Sequence, residues 1–87
     1  MEFVVGQLVR SRRGRDVERL YMVLEVSKER LLLVNGDKWR LENPKKKNPL
    51  HLQPISDSLP EEHRVTDLHI KTALRQYEAK AKKKQGG

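Results

Sequence analysis

The sequence predicts a mainly β chain: five short strands closed into a small antiparallel barrel, then one α-helix towards the C-terminus. Three observations predict it. Leu20, Met22, Leu24 and Val26 alternate with Tyr21, Val23 and Glu25, which is the period of a strand. Asn35-Gly36 stands between two apolar runs, as in a tight hairpin whose two central residues need positive φ. After Thr66 the apolar spacing becomes helical, through Ile70, Ala73, Leu74, Tyr77 and Ala81.

The elements follow in order. Residues 6–11 read as a first strand, with Leu8 and Val9 among polar neighbours, and 19–27 as the second. A polar turn precedes "LLLV", 31–34, the third. The Asn35-Gly36 turn returns the chain as a fourth strand over 38–42, "KWRLE", with Trp39 and Leu41 on one face. "NPKKKNP", 43–49, reads as a loop, because Pro44 and Pro49 donate nothing to a ladder. "LHLQPI", 50–55, alternates again as the fifth strand. Short strands at intervals of roughly ten residues suit a small barrel, which also removes exposed edges. Residues 1–56 then form the barrel, 57–66 a linker with one helical turn at Pro60-Glu61-Glu62, and 67–82 a helix packed on the barrel. Thr66 is its expected N-cap, and Asp67 suits the first turn. Residues 83–87 form a fraying, flexible basic tail.

Composition limits the function. Eighty-seven residues make one domain with a small core and little material for a substrate cleft. The absence of cysteine excludes a disulfide scaffold, a zinc ribbon and a thiol nucleophile, and fits a reducing cytoplasm. No metal site is expected, because His51, His63 and His69 fit no short ligand motif. No catalytic residue and no cofactor are expected either. Glu61 and Glu62 lack a cleft, and Ser11, Ser56 and Ser58 have no base placed by a motif. "MEFVVGQLV" has no basic n-region, and no apolar run is long enough for a membrane span.

The formal net charge is +7. Such a balance draws the protein to polyanions, nucleic acid first. The charge lies in three blocks: five arginines against Asp16 and Glu18 over 10–19, Lys45-Lys46-Lys47, and Lys80 with Lys82, Lys83 and Lys84. In the first block, Arg10, Arg12, Arg13 and Arg15 surround Gly14, at a turn that leaves the first strand. Glycine accepts positive φ and lets a phosphate approach the backbone, and guanidinium forks match phosphate oxygens. Asp16 either orders one of these arginines or caps the turn. The same loop, without a ligand, is a solvated turn. Lys45, Lys46 and Lys47 form either a second phosphate clamp or a solubilising loop. Asn48 reads a base or ribose, or caps the turn. Lys82, Lys83 and Lys84 either form an electrostatic arm or serve the helix dipole. Tyr21 and Trp39 are the aromatics near these loops, each either a stacking surface for bases or part of the core.

Gly6-Gln7-Leu8-Val9-Arg10-Ser11, then Gly14-Arg15-Asp16, then the alternation from Leu20 to Val26, resemble a KOW motif. Residues 34–55, "VNGDKWRLENPKKKNPLHLQPI", are similar to the second half of bacterial KOW-domain RNA-binding proteins, which are related to the fourteen-e family of large-subunit ribosomal proteins. Residues 4–55 carry the resemblance, about 60% of the chain. It implies an SH3-like barrel of KOW type and RNA binding within the translation apparatus. Ribosomal RNA is the first partner implied, with ribosomal proteins as possible neighbours. The expectation is a cytoplasmic monomer with no membrane partner, since the helix carries its basic residues at its end rather than along a face. The alternative from another class is an SH3-like protein-interaction module within a transcription or ribosome-assembly complex.

Overall fold

A computed structural model describes residues 3–86, the side chains of 82–86 excepted. Five strands and one long helix follow one another: β1 (Gln7–Ser11), β2 (Leu20–Val26), β3 (Leu31–Val34), β4 (Lys45–Lys47), β5 (Leu52–Ser58) and α1 (Asp67–Gly86). Short 3-10 turns lie at Pro49–His51 and Glu61–His63. The strands form one antiparallel sheet in the order β4-β3-β2-β1-β5.

The period-two pattern of β2 buries both faces of the sheet. Tyr21 and Val23 join Phe3, Val9, Leu31, Leu33 and Leu52 in one cluster, with Trp39 packed against it. Leu20 and Met22 join Leu8, Val34, Leu59, Ile70 and Leu74 in a second, beneath α1. Ile70 and Leu74 are one helical turn apart, so one stripe of α1 enters this cluster. Burial of each contributes about 1.5–3 kcal/mol. A bulge between Val23 and Glu25 interrupts the β2–β3 register, and the alternation loses its burial beyond Leu24: Val26 is exposed.

Three expectations are corrected here. Residues 38–42 are not a strand. The Asn35 side chain accepts from the Asp37 and Trp39 N–H groups, and the Trp39 carbonyl accepts from the Asn35 and Gly36 N–H groups. These bonds engage the Trp39 backbone inside the loop and not in a ladder. Only Gly36 of the Asn35-Gly36 pair has positive φ, so the tight two-residue hairpin does not form. Gly36 instead sits against the first turn of α1, where a Cβ would fall on the Asp67 carbonyl oxygen and 2.7 Å from the Lys71 nitrogen. Leu41 N–H donates to the Asp67 carboxylate, 2.9 Å away.

The second correction is that Lys45–Lys47, expected in a loop, is the strand that pairs with β3, with Leu31 opposite Lys47 and Leu33 opposite Lys45. Pro44 and Pro49 flank this strand and so cost it no ladder bond. The fifth strand accordingly begins at Leu52, after the 3-10 turn, and runs to Ser58.

The third concerns closure. β4 and β5 are the two ends of an open sheet, not neighbours in a closed ladder. Both edges are poor partners: β4 is three residues long, and Pro54 in β5 has no N–H.

The helix starts where the sequence places it. Thr66 Oγ accepts from the His69 N–H at 3.1 Å, an N-cap bond. α1 then continues past 82 to Gly86. Lysine and glutamine are good helix formers, and lysines favour the C-terminal end of the dipole.

Candidate nucleic-acid interface

Residues 12–19 leave β1 and return to β2 through a series of tight turns. Gly14 has φ of +88°, which suits the tight turn that leaves β1. Glu18 also has positive φ, at +75°, and its N–H is fixed by the Ser11 carbonyl. Further bonds anchor the loop at both sides: Arg12 N–H to the His51 carbonyl, Ser11 N–H to the Arg19 carbonyl, and Arg19 N–H to the Asp16 carbonyl.

Asp16 is the centre of the arrangement. It does not order an arginine. Its carboxylate accepts from Tyr21 Oη at 2.8 Å, Ser11 Oγ at 3.0 Å and Lys47 Nζ at 2.8 Å, and Lys45 Nζ lies 3.6 Å away. Burial alone would raise its pKa, but the bonds from Lys47, Tyr21 and Ser11 and the charge of Lys45 outweigh it and hold the carboxyl well below the usual carboxylate range. Burial first, then the bond to Asp16, pushes the Tyr21 phenol well above its ordinary value.

The basic residues therefore divide. Arg12, Arg13 and Arg15 are exposed and have no side-chain bond or ion pair among the described residues. Lys46 is exposed too, since β4 alternates. Lys47 is not a free clamp. Its three donors go to Ser11 Oγ at 2.6 Å, the Arg13 carbonyl at 3.0 Å and Asp16. Lys45 lies between Asp16 and Trp39, its ammonium 4.7 Å from the ring centroid. Arg10 is engaged as well: it donates to the Glu18 carbonyl and to the Glu78 carboxylate on α1. The bond to Glu78 raises its already high pKa.

The two basic loops expected from the sequence thus meet directly, joined by the Lys47 bonds to Arg13 and Asp16. Of the two roles open to the aromatics, the structure places both with the core. Tyr21 is only 1% exposed, so its ring offers no face for a base. Trp39 is half-buried, with its indole beside Lys45 and Lys38. Asn48 caps the 3-10 turn by accepting from Leu50 N–H at 2.9 Å. The side chains of Lys82, Lys83 and Lys84 lie outside the described residues.

Ser11 was legible only as a serine without a base, yet it is buried and bonded to Asp16 and Lys47. Its place at an inward position of β1, five residues before Asp16, is the signal that points to this role. Among the described residues, no group of three histidine or acidic side chains is placed to hold a metal, and no helix is long and apolar enough to cross a membrane. Fold and site together define a small antiparallel-sheet protein with a hydrogen-bonded basic loop between β1 and β2. No family model matches this chain, and a search of the curated proteins finds no match.

Proposed function

We propose that this protein is an RNA-binding module of the translation apparatus, associated with the ribosome in the cytoplasm, and that its sheet is a variant of the SH3-like barrel of KOW type. The observation that carries the reading is the exposure of Arg12, Arg13 and Arg15 on a loop whose one interior acid, Asp16, is consumed by lysines. The loop backbone is held by hydrogen bonds at both sides, so the ordering cost of meeting phosphates falls on the three unneutralised side chains and not on the backbone. Lys46 points to the other face of β4, beside Glu25 and Arg30, and is a separate exposed charge. The resemblance of residues 4–55 to KOW-domain RNA-binding proteins supports ribosomal RNA as the partner.

Phosphate contact, rather than base stacking, supplies the affinity in this reading. Tyr21 is buried and Trp39 is flanked by lysines, so no free aromatic face stands beside the arginines. Binding to RNA across a range of salt concentrations tests it. Log affinity should fall linearly with log salt, because counterions are released. Cross-linking in cells with sequencing of the bound RNA should enrich ribosomal RNA. A salt-independent association with protein and no enriched RNA would reverse the conclusion in favour of a protein-interaction module.

A further inference from the structure

The arginine loop does not end at Asp16. Arg19 closes it, and Arg19 lies at the mouth of a separate groove of about 580 Å³ between the start of β2 and α1. That volume falls within the range of about 300–1,000 Å³ typical of ligand sites. Leu20, Leu74 and Ala79 give it an apolar lining, and Arg19, Lys71 and Arg75 line it with positive charge. Lys71 and Arg75 are one helical turn apart, which sets them on one face of α1.

Two acids share the groove, and both are already engaged. Glu78 is bound by Arg10. Asp37 is exposed and meets Lys71 at 3.7 Å, a surface pair of little strength. Arg19 and Arg75 have no side-chain bond among the described residues. Arg10 also explains why the groove and the loop share a surface. By binding the Glu18 carbonyl and Glu78 together, it clasps the loop to the helix.

We propose that this groove is a second phosphate-binding site, which takes the backbone of the same RNA strand as it leaves the arginine loop. Arg19 and Arg75 hold phosphates, and the apolar lining accommodates the sugar or base face between them. The site rests on the RNA-binding reading above, and it makes α1 part of the interface rather than only a cover for the core.

The test uses the full chain and a polyuridylate oligonucleotide. Arg19→Ala with Arg75→Ala should flatten the plot of log affinity against log salt by about 1.4, two contacts at about 0.7 each for a single strand. In the unaltered protein, RNA should shift the backbone amide resonances of Arg19, Leu74, Arg75 and Ala79 as well as those of residues 12–16; this second measurement decides the matter even if the double variant folds poorly. An unchanged slope, or shifts confined to the loop, overturns the groove while leaving the arginine-loop reading intact. Failure of the unaltered protein to bind polyuridylate at low salt overturns both.

Discussion

Lys47 Nζ lies 2.8 Å from the Asp16 carboxylate, and this pair ties the lysine-rich edge strand β4 to the arginine loop. Both partners are largely shielded from solvent, at 10% and 14% side-chain exposure. The pair is therefore more than a surface ion pair, and it leaves Lys47 without a donor for a ligand.

Asp16→Ala should be among the most damaging changes outside the apolar core. It removes partners from Lys47, Tyr21 and Ser11 at once. Loss of hydrogen bonds to a charged group costs about 1.5–3 kcal/mol. For a domain of this size each kcal/mol lowers Tm by roughly 4–8 °C. Thermal melting should thus show a fall of about 6–24 °C, and RNA affinity should fall with it because the loop loses its anchor.

Acid should weaken the fold through the same carboxylate. The Asp16 pKa is depressed in the folded state, so the unfolded chain binds more protons between the folded pKa and the ordinary value near about 3.9. The stabilisation is complete above that ordinary value and is lost as pH falls below it, towards the folded pKa. Denaturant titrations at a series of pH values should show this loss below about pH 4. Asp16→Asn should be less stable at neutral pH and should flatten that acid limb.

The three exposed arginines should behave in the opposite way. Arg12→Ala, Arg13→Ala and Arg15→Ala together should leave the unfolding free energy within about 0.5 kcal/mol of the original, because none has an internal partner. The slope of log affinity against log salt should flatten by about 2 for a single strand. A triple variant that keeps its affinity and slope would reduce the loop to a solvated turn.

Two glycines should differ in cost for a reason visible only in three dimensions. At Gly14 a Cβ meets nothing nearer than Asp16 Oδ1 at 3.5 Å, so Gly14→Ala pays only for positive φ, about 1–2 kcal/mol. At Gly36 the same atom would strike the backbone of α1. Gly36→Ala adds overpacking of about 1–3 kcal/mol to the φ cost. Melting curves of the two variants should separate them, with Gly36→Ala lower.

The local features are legible along the chain. The alternation of residues 20–26, the cap at Thr66 and the apolar spacing of α1 are written in neighbouring side chains, and each arises from forces acting within a few residues. Gly14 was legible for the same reason, since a chain that leaves one strand and turns tightly towards the next favours a residue that accepts positive φ. Partnership at long range is settled only when the chain folds. Asn35-Gly36 reads as a hairpin, but the helix packing on Gly36 and the bonds within the loop displace the fourth strand to Lys45–Lys47. A triple lysine reads as a solvated loop because lone lysines avoid burial. It becomes a strand here because Asp16, 31 residues away from Lys47, neutralises the two lysines on its inward side. Nothing in local propensity records that pairing, so the division of the basic residues into those that hold the loop and those that remain free exists only in the folded chain.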